Sequence, residues 1–541
     1  MISQPLTTPH QQDASLGLLQ FNDSTSCKRW IESLLLFDIQ QTQLTLTAQL
    51  TALSAAQLPA LEHLKILELL KEATVFVQEE SAKLYMGKPL PLNANEAAAW
   101  RRGIDLWQET GRNYQQCLQA YRDGDLSIAP HAALVCMRCL HYVGATIFDH
   151  YRIYREVGGA VWHSLHALYA FAEQDGFARI RVKDSFSQSD PDSSCDECYL
   201  QALLLQLANP YALSVRQMGF TQRWLGKWAA LVGLVTQPLP PSAVPSLTVD
   251  LSGASGITLA GNQEPQSTVR YLDLEQLSKT LRLTINLLKQ NQTPEQLGLG
   301  NDASLPGCEN LLMVLYLQWC RAGTVRHEVR QEATVPAGVC FGIPAAHFHL
   351  SGGRAFHQPG ELIARETQDL DSYGDMAGGV QNQNREVPDD AKFETCQILN
   401  NSALGFMCLQ RNPEGRGRVS HNQFITVHLT GSNNFRIGMV QWRKQEDNGE
   451  LCFGVRLFPG IPESIVARPV NLNSADSNRY ERALLLLKTA LPATSPTVIL
   501  PAGWFESGRI IEVHTDRKLI LKLVSLLEKG YDFDRCTFTT L

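Results

Sequence analysis

Two arginines stand four residues apart in the stretch RHEVR, residues 326–330. In a helix or in an extended segment, positions i and i+4 point the same way, so Arg326 and Arg330 form a local pair of guanidinium groups. The planar guanidinium suits bidentate contact with phosphate or with the Hoogsteen edge of guanine, and it stacks on flat bases. Because most arginines are simply solvated, the pair taken alone fits an ordinary polar surface equally well.

A second group of polar residues lies in the stretch ILNNSALGF, residues 398–406. Asn400 and Ser402 are two residues apart, so on a strand their side chains point to the same face. Gly405 allows the backbone to turn or to approach another group closely. An amide and a hydroxyl together can address the polar edge of a purine, but the same residue types are also typical of a turn.

The elements around these residues read as short strands. From about residue 324 the sequence shows short apolar or alternating runs separated by Gly, Asn and Asp, which predict a small antiparallel barrel or sandwich. The runs are ATVPAGVCFGI, QFITVHL, FRIGMVQWR, LCFGVRLF, SPTVILP and RIIEVHT. We expect a helix at 518–529 and a terminal strand at 536–541 after them.

The order of these motifs resembles the PilZ domain family of cyclic di-GMP receptors. Arg-x-x-x-Arg is followed by Asn-x-Ser-x-x-Gly, then by a strand with Val440 and Trp442, and then by FGVRLF. The resemblance covers residues 324–460 and implies a six-stranded antiparallel barrel. In the family, the arginines grip the phosphates and guanines of the nucleotide, and the second motif reads a guanine. The binding residues implied for this chain are Arg326, Arg330, Asn400, Ser402 and Gly405.

One departure from the family pattern is an insertion at residues 353–394, rich in Gly, Asp, Gln and Asn, between the two motifs. A surface loop of this length is compatible with a barrel, because closure entropy grows only logarithmically with loop length. The insertion could equally lie over the ligand cleft. It makes Arg354 and Arg365 lesser candidates for the first-motif arginines.

The first half of the chain shows leucine and tryptophan spacings of three and four residues, which predict an all-helical region. The expected fold class is therefore α+β multidomain, with a helical N-terminal half followed by a small antiparallel PilZ-like β-barrel. The expected segments are a tail (1–24), a helical domain (25–235), a linker (236–262), a helical connector (263–323), the barrel (324–460) and an α/β extension (461–541).

Composition restricts the classes of function. The formal net charge of −7 and the pI near 6.1 provide no global attraction to nucleic acid or to an anionic membrane. The N-terminal residues do not show a basic segment followed by an apolar one, and apolar runs such as 228–235 fall short of the roughly 20 residues that span a bilayer. We therefore expect a cytoplasmic protein without membrane insertion, whose 13 cysteines are reduced thiols.

Two other groups of residues could bind metal. Cys136 and Cys139, like Cys195 and Cys198, have the internal spacing of zinc ligands, but ordinary buried thiols explain both pairs. A second group, His347, His349 and His357, could supply ligands from a strand face for a metal-dependent hydrolase, but no carboxylate accompanies it at a suitable spacing.

The sequence leads to one hypothesis and one main alternative. The hypothesis is a cyclic di-GMP-binding signalling protein, not an enzyme and without a cofactor, whose barrel couples nucleotide binding to a helical module that contacts a protein partner. The alternative is a ligand-free helical scaffold with a degenerate PilZ-like barrel.

Overall fold

The computed structural model describes most of the chain. The described residues are 18–34, 36–183, 192–240, 246–259, 266–321, 331–354, 356, 358, 387–402, 404–411, 417–432, 434–470, 479–487, 496–515 and 517–541. They form two compact units: Met1–Lys88 with Leu92–Val325, and Pro89–Pro91 with Arg326–Leu541.

Helices dominate the described part of the first unit, as expected. They are α1 (Ser24–Glu32), α2 (Ile39–Ala55), α3 (Ala60–Ala82), α4 (Ala94–Arg122), α5 (Ala132–Arg152), α6 (Gly159–Gln174), α7 (Cys195–Leu207), α8 (Val215–Trp228), α9 (Glu275–Lys289) and α10 (Leu305–Cys320). Several of these helices begin at residues whose side chains cap the helix N-terminus. The side chain of Asn93 accepts a hydrogen bond from the Glu96 backbone N–H, and the Glu96 carboxylate accepts one from the Asn93 backbone N–H, so that α4 starts with a reciprocal cap.

The expected tail at 1–24 is partly wrong. Residues 1–17 lie outside the described residues, but Phe21 is buried, and its ring centroid lies 5.3 Å from that of Trp30. An aromatic residue at this position anchors the segment that precedes α1 through burial of apolar surface.

Helix α5 forms the centre of the first unit and contacts α4, α6 and α7. The stretch Ala129–Arg152 is long and apolar enough to cross a membrane by length and composition, but most of it is buried inside the fold. Its buried Asp149 accepts hydrogen bonds from Tyr85 Oη at 3.1 Å, Trp107 Nε1 at 2.8 Å and Arg152 Nη1 at 2.9 Å. One carboxylate thus joins side chains of three helical regions in a fully partnered polar centre.

A second buried polar centre joins α3 to α5. Arg138 is buried, and its Nε donates to Glu68 Oε1 at 2.9 Å, while Lys71 Nζ and Tyr114 Oη each lie 2.8 Å from an oxygen of the same carboxylate. Burial acts to raise the pKa of Glu68, but the hydrogen bond and charge of Arg138, joined by those of Lys71, outweigh it and lower the pKa to about 2.

The linker expected at 236–262 is wrong over its described residues. Strands β3 (Gly233–Val235), β4 (Leu247–Asp250), β5 (Thr258–Leu259) and β6 (Val269–Asp273) form a small antiparallel sheet in the order β3-β6-β4-β5. Leu247 and Val249 are buried in it. The Pro, Ser and Gly residues that suggested a linker lie around these short strands. Burial of the strand residues favours a sheet over an extended linker. A further two-stranded ribbon consists of β1 (Val182–Lys183) and β2 (Asp192–Ser193).

The second unit contains the expected six-stranded barrel. Its strands are β7 (Gln331–Phe341), β8 (Glu394–Ser402), β9 (Gly405–Gln410), β10 (Phe424–Leu429), β11 (Phe435–Gln445) and β12 (Leu451–Leu457). They close in the order β10-β11-β12-β9-β8-β7, with every neighbouring pair antiparallel. Much of the expected insertion, residues 359–386, lies outside the described residues, and α11 (Gly342–Leu350) follows β7 directly.

The expected α/β extension at 461–541 is wrong, because this region is a second closed barrel. Its strands are β13 (Ile461–Pro469), β14 (Glu481–Leu487), β15 (Thr497–Pro501), β16 (Ile510–His514), β17 (Lys518–Lys529) and β18 (Phe533–Thr540). The expected helix at 518–529 is β17, which pairs with β16 on one side and β18 on the other. Pairing on both edges and burial of the alternate residues Leu521 and Leu523 override the helical leucine spacing.

The two barrels share an apolar core. Phe533 of the second barrel lies 5.5 Å from Phe424 and 5.5 Å from Phe458 of the first, measured between ring centroids. Helix α11 contacts strands of both barrels. The buried residues of this shared core are Ile343, Ala346, Phe424, Ile437, Met439, Phe458, Leu484, Leu486, Ile499 and Phe533. The two barrels therefore pack directly against each other, face to face.

The Glu68–Arg138 pair gives a pH-dependent prediction. Because the folded pKa of Glu68 lies well below its ordinary value of 4.5, the stability it contributes is present above pH 4.5 and is lost as pH falls toward 2. We expect Glu68→Gln to lower the free energy of unfolding at pH 7 by about 2–4 kcal/mol, since it leaves Arg138 buried without its counter-charge. Urea denaturation should show this difference from the unmodified chain shrinking between pH 4.5 and pH 2.

The matched control for this prediction is Glu80→Gln. Glu80 pairs with Lys83 on the surface of the same helix, and an exposed pair contributes at most about 1 kcal/mol. A pH-independent difference between Glu68→Gln and the unmodified chain would contradict the assignment.

Candidate functional site

Asn400, Ser402 and Gly405 lie on one hairpin of the first barrel. Strand β8 continues to Ser402, β9 starts at Gly405, and these two residues are directly paired. The Leu404 backbone N–H donates to Ser402 Oγ at 3.3 Å, and Ser402 Oγ donates to the Gly405 carbonyl at 3.4 Å. The polar turn predicted from the sequence is therefore the end of the hairpin, and the hydrogen bonds of Ser402 stabilise this turn.

Asn400 and Ser402 point to the outer face of the barrel. A bulge at residue 399 shifts the register, so that the buried Ile398 pairs with Cys408 whereas the half-buried Asn400 pairs with Met407. Asn400 Nδ2 donates to Met407 Sδ at 3.3 Å. The bulge thus changes the face of β8 to which the following side chains point, so that the Asn400 amide faces outward beside the Met407 thioether.

A glycine is required at position 405 because the backbone of β12 comes very close to it, and not because of the backbone angles of Gly405. A Cβ atom built there would lie 2.2 Å from the Val455 carbonyl oxygen of β12. Only glycine lets β9 pair this closely with β12 at the end of the hairpin.

An aromatic side chain lies in the same cross-strand row. Trp442 pairs with Gly454, which pairs with Met407, which in turn pairs with Asn400. A Cβ at Gly454 would lie 2.0 Å from Trp442 Nε1, so the indole lies directly over this glycine. The half-buried indole, the thioether and the amide therefore follow one another across the outer face, and a flat surface of this kind suits a nucleobase.

The first-motif arginines lie outside the described residues, as does Arg365, whereas Arg354 is described and follows α11. The described part of β7 begins at Gln331, the residue bonded to Arg330, and Gln331 pairs with Asn401. The chain therefore enters the barrel directly beside the Asn400–Ser402 hairpin.

The histidine group expected on a strand is wrong, because His347 and His349 lie on helix α11. His347 is buried, and burial, assisted by the charge of Arg482, lowers its pKa to about 4. His349 Nε2 lies 2.6 Å from the Ala391 carbonyl. His357 is outside the described residues. Helical geometry turns two residues that are two apart toward different sides, so they do not share a face.

The two cysteine pairs come together, which the sequence reasoning did not foresee. Cys136 and Cys139 lie on α5 and Cys195 and Cys198 on the neighbouring α7, all four buried. A hydrogen bond with Cys136 and then burial raise the pKa of Cys195, as expected of protonated thiols. Within the described residues, no three His, Cys, Asp or Glu side chains are arranged to hold a metal ion.

Comparison with known proteins gives the class of protein first. Residues 25–239 match the family model described as the N-terminal domain of the cyclic-di-GMP receptor FimW, and residues 465–541 match the FimW C-terminal beta-barrel domain. The chain is therefore similar to this class of cyclic-di-GMP receptors in its N-terminal and C-terminal regions, and the expected resemblance to such receptors is confirmed.

One relative is the cyclic-di-GMP receptor FimW of Pseudomonas aeruginosa. The chain is 22% identical to it over 575 residues, which cover 95% of this chain and 89% of the relative. The matched C-terminal domain falls on the second barrel, and the first barrel with its hairpin lies between the two matched regions. The assignment of the first barrel to the PilZ family, and of the five binding residues, stays a prediction.

The close approach at Gly405 can be tested by a single methyl group. We expect Gly405→Ala to lower the free energy of unfolding by about 1–3 kcal/mol, because the added Cβ forces β9 away from β12. Gly219→Ala in α8 is the control: nothing lies within 4 Å of the added atom, and alanine is the better helix former. Differential scanning calorimetry that shows equal or higher stability for Gly405→Ala would contradict the close approach.

Proposed function

We propose that this chain is a cyclic di-GMP-binding signalling protein and that its first barrel, a PilZ-like domain, binds the nucleotide on its outer face. The observation that carries the proposal is the register of β7: Gln331, the residue that follows RHEVR in the sequence, pairs with Asn401, which lies between Asn400 and Ser402. Likeness to a cyclic-di-GMP receptor along nearly the whole chain supports it.

In this proposal Arg326 and Arg330 contact the phosphates and guanine bases, and Asn400 and Ser402 read the polar edge of one guanine. A cyclic di-GMP molecule carries two phosphodiester charges and two purines, which match guanidinium forks, an amide and a hydroxyl. Gly405 lets β9 pair closely with β12 at the end of the hairpin, and it pairs with Ser402 on the other side.

The helical N-terminal half is proposed as the output module. Nucleotide binding can alter its interaction with a protein partner only if the nucleotide has different affinities for two arrangements of the chain. We place this activity in the cytoplasm, where the nucleotide is free to reach the barrel, and we propose no catalytic step.

Isothermal titration calorimetry with cyclic di-GMP tests the proposal. We expect saturable binding, and we expect Arg326→Ala and Arg330→Ala each to weaken it about 10-fold or more, because a hydrogen bond to a charged group contributes about 1.5–3 kcal/mol. Asn400→Ala should weaken binding less, since its hydrogen bonds to a base are neutral. The control is Arg509→Ala, which removes an arginine of the second barrel that bonds to Glu506 and to the Trp504 carbonyl.

Absence of binding to the unmodified chain would refute the proposal and favour the ligand-free scaffold. Binding that survives both arginine substitutions would keep the receptor function but overturn the assigned residues. A melting-temperature series provides an independent readout, since a ligand at about 100 times its dissociation constant adds roughly 2.7 kcal/mol of stability.

A further inference from the structure

A third arginine lies beside the hairpin, on the side where the first barrel meets the second. Arg456 of β12 pairs directly with Gly405, which pairs with Ser402. Directly paired residues project from the same face of a sheet, and the next residue, Val455, is buried on the other face. Arg456 and Ser402 therefore share the outer face, about 10 Å apart across two strand spacings, with Gly405, which has no side chain, between them.

Two contacts hold the Arg456 side chain, which is 38% exposed. Its Nη1 lies 2.7 Å from Glu528 Oε1 of the second barrel, and its Nε donates to Gln441 Oε1 at 3.2 Å. These contacts use Nε and Nη1 of the guanidinium, whose planar fork offers five N–H donors. Among the described residues, Nη2 makes no hydrogen bond, so this part of the fork stays available to an anion.

Positively charged side chains outnumber negatively charged ones in the cluster of Arg456, Arg535 and Glu528. Glu528 is shared with the buried Arg535, whose Nη1 lies 3.4 Å from Glu528 Oε2. Two guanidinium groups thus face one carboxylate, and both lie near the ring of Phe458, at 5.7 Å and 4.9 Å from its centroid. Burial lowers the pKa of Arg535, and the nearby charge of Arg456 lowers it further against the opposing effect of Glu528. A second negative group at this place would balance the cluster.

We propose that Arg456 is a third phosphate-binding arginine of the nucleotide site and that Glu528 and Gln441 position it. The inference rests on the proposed function of the first barrel and adds to it a contribution from the second barrel. A phosphodiester oxygen of the cyclic dinucleotide accepts from Arg456 on this outer face, while the purine lies toward Ser402 and Asn400. The second barrel thereby becomes part of the binding site through one carboxylate.

Titration calorimetry of substituted chains with cyclic di-GMP tests the role of Arg456. We expect Arg456→Ala to weaken binding about 10-fold and Arg456→Lys to restore part of the loss, since lysine keeps the charge but not the fork. The matched control is Arg468→Ala in β13, which removes a comparable arginine that bonds to Glu512 at 3.0 Å and lies over Tyr480. It should leave binding unchanged. Should Arg456→Ala unfold the chain, Arg456→Gln preserves most of the side-chain packing and serves in its place.

The positioning role of Glu528 is tested by a double-mutant cycle. We expect Glu528→Gln to weaken binding about 3-fold in the unmodified chain and to have no further effect when Arg456 is already alanine, because the two residues act as a unit. An equal loss in both backgrounds would overturn the positioning role.

The outcomes separate this inference from the proposed function. If the unmodified chain binds the nucleotide and Arg326→Ala weakens binding while Arg456→Ala does not, the receptor function stands and the third arginine is refuted. If the unmodified chain does not bind cyclic di-GMP, the proposed function itself fails. Melting temperatures of all variants, measured without nucleotide, show that the binding losses do not arise from unfolding.

Discussion

The face-to-face contact of the two barrels is the interaction on which the proposed nucleotide site depends. Phe533 packs against Phe424 and Phe458, and the Phe424 backbone N–H donates to Asp532 Oδ1 at 2.8 Å. Burial of apolar surface at about 25 cal/mol per Å² makes such a contact strong, and a hydrogen bond inside it sets the alignment. Residues of β10 and β11, with Phe458 just after β12, supply one side of this contact, so the second barrel packs against the strand that carries Trp442 and next to the strand that carries Arg456.

Much of the first barrel could be predicted from the sequence because its signals are local. Asn400 and Ser402 are two residues apart on a strand, and Gly405 marks the close approach, so a pattern of a few residues contains this information. Arg456 could not be selected in the same way, since its relation to Gly405 depends on the pairing of β9 with β12 across more than forty residues. Its partner Glu528 lies further along still, in a segment that the sequence reasoning assigned to a helix.

The errors in the fold have physical causes. The leucines of 518–529 occur at spacings that fit both a helix and a strand, and only pairing with β16 and β18 selects the strand. Both faces of β14 are buried, since Leu485 lies inside the second barrel and Leu484 and Leu486 pack against the first barrel. The alternation of apolar and polar residues that is typical of a half-exposed strand is therefore missing from its sequence. The helical half was easier because its capped, periodic helices depend on neighbours in sequence, as at Asn93 and Glu96.

The position of β7 in the first barrel has a consequence for the order of folding. Its partners are β8 and β10, and α11 with the residues up to Glu394 separates it from the nearer of the two. The hairpins β8–β9 and β11–β12 join consecutive strands, so they close short loops, whereas β7 can join only after a long loop has closed. Strand β7 is therefore expected to close the barrel late. Since the chain enters β7 directly after Arg330, we expect the two halves of the proposed nucleotide site to meet only when the barrel is complete, so that partly folded chains do not compete for the messenger.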